Sequence, residues 1–266
     1  MEELHEIAKK IRKSIVEMTY NAGEQGAHIG GSLSLCEILS VLYCRIMKID
    51  PQNMLDPNRD RLILSKGHGV LALYAILNYL GVVTNQELAS FKKDDSIMTA
   101  HPQFMPEKGL EFASGSLGQG LAIGAGVALG LKNKRIDSRV FVVLGDGECD
   151  EGSVWESAAF SSHMNLNNLI CIVDQNGLQY DGRTDSVLNM GDLVQKWRSF
   201  GWDACSIDGH SVKDLIGQLN ENHDRPFALI CRTVKGKGIS FIEDDYRWHN
   251  AKLSETQYLA ALKELD

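Results

Sequence analysis

The amino-acid sequence predicts an α/β fold in which a mainly parallel sheet is flanked by helices. Three apolar, β-branched runs at 139–144, 169–174 and 202–207 each precede a stretch with helical periodicity. A further strand is predicted at 227–233, and strands that alternate with helices are typical of parallel sheets. Because no linker, repeat or low-complexity tract interrupts this pattern, we expect residues 1–266 to form one domain.

The first third of the chain predicts helices and one strand. Apolar residues recur at helical spacing across 4–18, with charged residues between them, and predict an amphipathic first helix. After a glycine-rich loop, residues 34–47 are predicted as a second, largely buried helix. The run at 61–65 predicts a strand that leads into a helix beginning at Val70.

A long segment with little periodicity occupies the middle of the chain, at 92–118. Segments of this length without their own secondary structure are usually functional. A helix rich in small residues is predicted next, at 117–132. Capping-box sequences at 84–87 and 254–257 predict the starts of two further helices.

Composition restricts the classes of function. The formal net charge of −8 argues against nucleic acid and anionic membranes as main partners. The six cysteines form no Cys-x-x-Cys pair, so we expect buried free thiols in a reducing compartment. The N-terminus lacks a secretory leader, and the longest apolar run, at 70–83, is too short to span a bilayer. We therefore expect a soluble, cytoplasmic protein.

Acidic residues are concentrated at the end of one predicted strand, within 146–151. Asp146 follows this strand and Asn176 follows the next, so both should lie at the carboxyl edge of adjacent parallel strands. A carboxylate, an amide oxygen and a backbone carbonyl from the following turn would suit Mg²⁺, which often shares its ligands with phosphates. Gly147 would let a phosphate approach its N–H. A Gly-Asp-Gly sequence alone is more often a surface turn, but this placement favours a metal site.

Several motifs resemble those of one enzyme family. The stretch "GDGECDEG", followed by Asn176, resembles the Gly-Asp-Gly…Asn signature of thiamine diphosphate enzymes. The stretches "GAHIGGSLS", "LSKGHG", "TAHPQ", "GSLGQG" and "TVKGKGISFIEDDYRWHN" are similar, in order, to the histidine and cofactor loops of transketolases. The resemblance runs from about residue 8 to residue 250 and implies the diphosphate-binding (PP) domain of the thiamine diphosphate-binding fold.

The resemblance implies roles for individual residues. The implied metal ligands are Asp146, Asn176 and, through its carbonyl, Leu178. The implied cofactor-binding residues are Lys66, His68, Gly115, Leu117, Gly147, Asn176, Lys235 and His249. The histidines implied to face the sugar and act in catalysis are His28, His101 and His249. Glu151 and Glu156 match acidic positions between cofactor sites, although they would equally suit the first turns of a helix.

The activity implied by the resemblance is transfer of a two-carbon ketol unit from a ketose phosphate to an aldose phosphate, with thiamine diphosphate and Mg²⁺ (Ca²⁺ or Mn²⁺ substituting). Pentose phosphates are the default substrates. No segment matches the pyrimidine-binding or C-terminal domains of transketolases, so we expect them on a partner chain, in an α₂β₂ assembly. Two alternatives are the α subunit of a 2-oxoacid dehydrogenase E1, which shares Gly-Asp-Gly…Asn, and a non-catalytic phosphate-binding α/β module.

Overall fold

The computed structural model describes residues 1–266 and confirms the predicted fold class. The helices are α1 (Glu2–Asn21), α2 (Ile29–Leu33), α3 (Cys36–Val41), α4 (Val70–Tyr79), α5 (Asn85–Ala89), α6 (Gly120–Asn133), α7 (Gly152–His163), α8 (Thr184–Val187), α9 (Leu193–Ser199), α10 (Val212–Leu219) and α11 (Glu255–Glu264). The strands are β1 (Arg61–Leu64), β2 (Val140–Gly145), β3 (Leu169–Gln175), β4 (Leu178–Gln179), β5 (Gly182–Arg183), β6 (Asp203–Asp208) and β7 (Phe227–Arg232).

The main sheet is fully parallel and has the strand order β1-β2-β3-β7-β6. Its strands are joined through helices, as parallel strands require, so their carboxyl ends share one edge. Strands β2 and β3 are direct neighbours, with Gly145 paired to Asp174 at that edge. The prediction that Asp146 and Asn176 follow adjacent parallel strands is therefore confirmed. Strands β4 and β5 form a separate antiparallel hairpin immediately after β3.

Both faces of the sheet are covered, which explains the continuously apolar strands. Side chains alternate along β2: Phe141 and Val143 contribute to one apolar cluster, whereas Val142 and Leu144 contribute to the other. The larger cluster includes α1, α3, α4 and α10, and the smaller one includes α6, α7 and α9. The two-layered core therefore holds the sheet rigidly while its carboxyl edge stays available for polar groups.

The predicted continuous helix at 34–47 is wrong in detail. Helix α3 begins at Cys36 and ends at Val41, and a wider π turn follows over 42–46. In that turn the Met47 N–H donates to the Leu42 carbonyl, 2.8 Å away, instead of to the carbonyl four residues earlier. The Ile46 carbonyl, at the end of the π turn, accepts a hydrogen bond from Nη2 of Arg139 at 2.6 Å. A contact from a residue distant in sequence therefore accompanies the break.

Other local predictions are confirmed. The hydroxyls of Thr84 and Ser254 accept hydrogen bonds from the backbone of Glu87 and Gln257, completing both capping boxes. The segment 92–118 contains no strand and only one short 3₁₀ turn. All six cysteines are free thiols, but only four of them are buried as expected, because Cys44 and Cys205 are partly exposed. None of the helices combines the length and apolar character needed to cross a membrane.

Candidate active site at the carboxyl edge of the sheet

One cavity of about 400 Å³ lies at the carboxyl edge of the main sheet. Its lining contains every residue that the sequence predicts for the metal, the cofactor and the sugar: His28, Lys66, His68, His101, Gly115, Leu117, Asp146, Gly147, Asn176, Leu178, Lys235 and His249. These residues come from loops spread over most of the chain, and the strand ends bring them together. Their roles remain predictions, but their common location is a property of the fold.

The turn after β3 wraps around the carboxylate after β2. Oδ2 of Asp146 accepts a hydrogen bond from the Gly177 N–H at 2.7 Å, and Oδ1 accepts from the Gly147 N–H at 3.0 Å. Gly177 has a φ of +74°, which favours glycine and turns its N–H toward the carboxylate. Oδ1 of Asn176 accepts from the Leu178 N–H at 3.1 Å. The fold therefore holds Asp146 and the 176–178 turn against each other.

Asp146 is a buried carboxylate without a cationic partner. It is 7% exposed and takes part in no ion pair. Burial, together with the nearby negative charge of Asp174, raises the pKa of Asp146 to about 6. A divalent cation would offset both effects. The donor set formed by Asp146, Asn176 and the Leu178 carbonyl consists of hard oxygen ligands, so these residues fit Mg²⁺.

A second buried carboxylate, Asp174, supports this site, and the sequence reasoning missed it. Asp174 is fully buried and accepts hydrogen bonds from Lys66, Thr233, Ser34 (2.7 Å) and Nδ2 of Asn176 (3.1 Å). Burial raises the pKa of Asp174, but its ion pair with Lys66 and these hydrogen bonds lower it below its usual value. Because Asp174 binds the amide nitrogen of Asn176, the amide oxygen is directed away from it. The available signal was a charged residue within an apolar strand.

Two buried lysines add positive charge to the cavity. Lys66 and Lys235 are each 1% exposed. Nζ of Lys235 donates to the Leu178 carbonyl at 2.9 Å and lies 3.0 Å from Nδ1 of His249. Burial and the charge of Lys66 lower the pKa of Lys235 to about 8. Two ammonium groups beside an oxygen-rich metal site are suited to a polyanion such as a diphosphate.

The four predicted histidines form a cluster. The ring centroid of His28 lies 5.9 Å from that of His68, 5.3 Å from that of His101 and 5.5 Å from that of His249. Burial and a neighbouring histidine lower the pKa of His28 to about 4, and burial and Lys235 lower the pKa of His249 to about 3. Burial also lowers the pKa values of His68 and His101. Neutral imidazoles can both donate to and accept from hydroxyl groups.

Another residue missed by the sequence reasoning, Glu148, joins three of the loops. Its Oε1 accepts from the Gly118 N–H at 2.8 Å and from the hydroxyl of Ser65, and its Oε2 accepts from the Gly145 N–H at 3.1 Å. These contacts fix the loop that presents Gly115 to the cavity. Glu148 is buried, and only its place among the acidic residues after β2 pointed to a role.

The cavity wall also contains an unpaired polar atom. Oε1 of Gln179 is buried and has no hydrogen-bond partner, and a Cβ added to Gly147 would lie 2.6 Å from it. The Gln179 side chain therefore lies directly against Gly147 and leaves no room for a side chain at position 147. Glu151 lines the cavity as the N-cap residue of α7, whereas Glu156 lies on the exposed face of that helix, outside the lining.

The protein is of the α/β class: it has a parallel sheet flanked by helices, and a cavity lined by many oxygen atoms lies at the carboxyl edge of that sheet. The family model for "transketolase, thiamine diphosphate binding domain" matches residues 5–265. The chain therefore belongs to the transketolase family, which confirms the resemblance seen in its motifs. The comparisons favour this family over the 2-oxoacid dehydrogenase and the non-catalytic module.

Two relatives are separate subunits. The chain is 40% identical over 268 residues to the 6-deoxy-6-sulfo-D-fructose transketolase subunit of Clostridium sp. (strain MSTE9), covering 99% of this chain and 96% of the relative. It is 36% identical over 261 residues to one subunit of the apulose-4-phosphate transketolase of Phocaeicola vulgatus, covering 97% of this chain and 92% of the relative.

A solved structure shows the same fold within a longer enzyme. The transketolase of Campylobacter jejuni superposes with a TM-score of 0.89 at 27% identity. The match covers 100% of this chain but 43% of the C. jejuni chain, so this chain spans less than half the length of that enzyme.

Proposed function

We propose that this chain is the N-terminal, diphosphate-binding subunit of a two-subunit transketolase. The reaction would transfer a two-carbon ketol unit from a ketose phosphate to an aldose phosphate. The observation that carries the proposal is the convergence of Asp146, Asn176, two buried lysines and four histidines on one cavity. Its assignment to a separate subunit is supported by the names of two relatives that the chain matches over more than nine-tenths of their length.

Under this proposal, Asp146, Asn176 and the Leu178 carbonyl hold Mg²⁺, with Ca²⁺ or Mn²⁺ able to substitute. Lys66, His68, Gly147, Lys235 and His249 bind the diphosphate of thiamine diphosphate, and Gly115 and Leu117 present backbone groups to its aminopyrimidine. When bound, the cofactor supplies an electrophilic ring that accepts the electron pair of the carbon–carbon bond broken in the donor sugar. The lysines offset the anionic charge that the metal does not neutralise.

His28, His101 and His249 are proposed to face the sugar. Because burial keeps these imidazoles neutral near pH 7, each can donate one hydrogen bond and accept another. They would orient the hydroxyls of the ketose and aldose and move protons at those oxygens. The cluster lies beside Lys235, so the same wall would serve both cofactor and sugar.

The partner is proposed to be a C-terminal transketolase subunit in an α₂β₂ assembly in the cytoplasm, with cofactor sites between chains. The residues proposed for the aminopyrimidine, Gly115 and Leu117, would contribute only backbone groups, so its activating acid would come from the partner. The two subunit relatives are named for ketoses bearing a sulfonate or a phosphate. We therefore propose a ketose with an anionic tail, of which pentose phosphates are the default.

The proposal is tested on a complex of the chain co-expressed with a candidate C-terminal subunit, which is titrated with thiamine diphosphate by calorimetry. We expect cofactor uptake that requires Mg²⁺, and ketol transfer only by the complex. Asp146→Asn should weaken Mg²⁺-dependent uptake about 10- to 100-fold or more, because it removes the charged metal ligand. The matched control is Asp94→Asn, at an exposed site outside the cavity. Full turnover by the chain alone, or unchanged uptake by Asp146→Asn, would contradict the proposal.

A further inference from the structure

Three polar side chains, two of them buried and one partly buried, meet outside the lining of the cavity. Arg12 comes from α1, Glu37 from α3, and His210 from the turn between β6 and α10. Oε2 of Glu37 accepts hydrogen bonds from Nη2 of Arg12 at 2.7 Å and from Nδ1 of His210 at 2.9 Å. Their side chains are 8%, 8% and 15% exposed for Arg12, Glu37 and His210, respectively. Burial raises the pKa of Glu37, but its hydrogen bonds and the neighbouring positive charge lower it to about 2.

The two partners of Glu37 each make a second contact, and both second contacts go to one short segment. Nε of Arg12 donates to the Lys237 carbonyl at 2.9 Å. The Val234 N–H donates to Nε2 of His210 at 2.9 Å. Arg12 and His210 therefore hold the two ends of segment 234–237, which includes Lys235, and Glu37 joins these two side chains.

These contacts define the tautomer of His210. A backbone N–H can only donate, so Nε2 of His210 must present its lone pair to Val234. The proton of the neutral ring is then on Nδ1, where it is donated to Glu37. Glu37 fixes this tautomer just as an outer carboxylate fixes a ligand histidine. A side chain without an acceptor at this position would leave the Val234 N–H unpaired.

Segment 234–237 is packed closely against the cavity wall. Lys235 is 1% exposed, and its Nζ reaches the Leu178 carbonyl at 2.9 Å. The Gly236 N–H donates to the Gly30 carbonyl at 3.0 Å. A Cβ added to Gly30 would lie 3.2 Å from Cγ of Lys235, so the lysine stem packs directly on that loop. The ammonium position therefore depends on where the backbone at 234–237 is held.

We infer that Arg12, Glu37 and His210 are positioning residues that hold segment 234–237 so that Lys235 delivers its ammonium group to the anion-binding wall of the cavity. The ligand named here, the diphosphate of the cofactor, rests on the proposed function, whereas the grip on the segment does not. The clamp, meaning these three residues, acts on the ligand only through Lys235.

The experiment compares the wild-type chain with His210→Ala and His210→Gln. Glutamine retains a donor and an acceptor on one planar group, so it can serve both Glu37 and Val234, whereas alanine serves neither. Amide hydrogen exchange on the ligand-free full chain should show at least about tenfold faster exchange across 233–240 in His210→Ala, with near wild-type protection in His210→Gln. His5→Ala, at an exposed site on α1, is the control and should leave this segment unchanged.

A second measurement uses the complex with its partner subunit, titrated with thiamine diphosphate in the presence of Mg²⁺. We expect His210→Ala to weaken binding about tenfold and His210→Gln to restore most of it, as for other outer-shell supports. Arg12→Lys provides an independent arm. It keeps a positive charge beside Glu37 but removes the Nε donor to Lys237, so exchange should increase at the C-terminal end of the segment.

Unchanged exchange at 233–240 in both His210→Ala and Arg12→Lys would overturn the inference. Uniformly faster exchange over the whole chain, with no rescue by His210→Gln, would also overturn it, because it would indicate only a general loss of stability. If the wild-type complex bound no thiamine diphosphate, the proposed function would fail, and the exchange comparison would still decide whether the clamp holds the segment.

Discussion

The ends of β2 and β3 place two buried carboxylates side by side with opposite surroundings. Asp146, after β2, accepts only two backbone N–H groups, and its pKa is raised to about 6. Asp174, near the end of β3, is surrounded by an ammonium group, two hydroxyls and an amide, and its pKa is lowered. The neighbouring strand ends therefore hold one carboxylate that lacks a cation and another whose partners are complete.

This difference is consistent with the proposed binding role of Asp146 and with a supporting role for Asp174. A buried charge is stable only when it is paired and hydrogen-bonded. Asp174 meets that condition within the chain, so it contributes to the folded state. Asp146 does not meet it within the chain, which supports the proposal that it binds an external cation. A buried carboxylate with too few partners is therefore a stronger sign of a ligand than an acidic cluster is.

The largest expected effect comes from exchanging each carboxylate for an amide. Asp174→Asn leaves the buried ammonium of Lys66 without a counter-charge and should lower the free energy of unfolding by about 3–5 kcal/mol. Asp146→Asn removes a buried charge whose raised pKa shows that the fold disfavours it, so this variant should lose far less stability than Asp174→Asn, or gain some. The measurement is urea unfolding of both variants and the wild type at pH 7, without metal.

A similar loss of stability in both variants would contradict the contrast between the two carboxylates, because Asp146 would then stabilise the folded state as Asp174 does. Asp94→Asn, at an exposed loop position, serves as the control for a surface aspartate. Repeating the unfolding of Asp146→Asn with and without Mg²⁺ would sharpen the result. Only chains with an intact metal site should gain stability from the ion.

Another buried carboxylate, Glu37, is paired with Arg12 and hydrogen-bonded to His210. It tests whether such pairing predicts how the stability of the protein changes with pH. Its pKa is lowered to about 2 from a usual 4.5, so its contribution is full above pH 4.5 and is lost as the pH falls toward 2. Glu37→Gln should therefore be less stable than wild type by about 3 kcal/mol at pH 7. The deficit should shrink below pH 4.5, as measured by urea unfolding at several pH values.

The control for this pH series is Glu6→Gln on the exposed face of α1, which should track the wild type. A deficit that stays constant from pH 7 to pH 3 would mean that the loss comes from packing instead of charge. The series would then give no support to a link between complete pairing and a lowered pKa.

The cavity residues that were predicted could be found because they lie in short local motifs. Gly-Asp-Gly after one strand and Asn-Gly after the next encode strand-end geometry within a few residues. The spacing between Asp146 and Asn176 suffices to place them at one edge. The same is true of the parallel sheet, since each strand and helix carries its own periodicity.

The supporting residues could not be predicted, because their partners are distant in sequence. Glu37 and His210 are separated by 173 positions, and Ser34 and Asp174 by 140. No local pattern predicts that the strand residue Asp174 will contact Ser34, which lies in the turn between α2 and α3. The π turn after α3 also involves a distant residue, since Arg139, just before β2, donates to the Ile46 carbonyl at the end of that turn. Local signals therefore find many of the cavity-lining residues, while the groups that position them depend on the whole fold.

The smallest expected effect concerns a single partner of Asp174. The hydroxyl of Ser34 is fully buried and donates to Oδ2 of Asp174 at 2.7 Å. Ser34→Ala leaves the ion pair with Lys66 intact, so urea unfolding at pH 7 should show a loss of about 1–2 kcal/mol. Ser40→Ala, which removes a buried hydroxyl bonded only to its own helix, is the matched control and should cost less. A loss as large as that of Asp174→Asn would show that the hydroxyl, and not the ammonium group, dominates the pairing of Asp174.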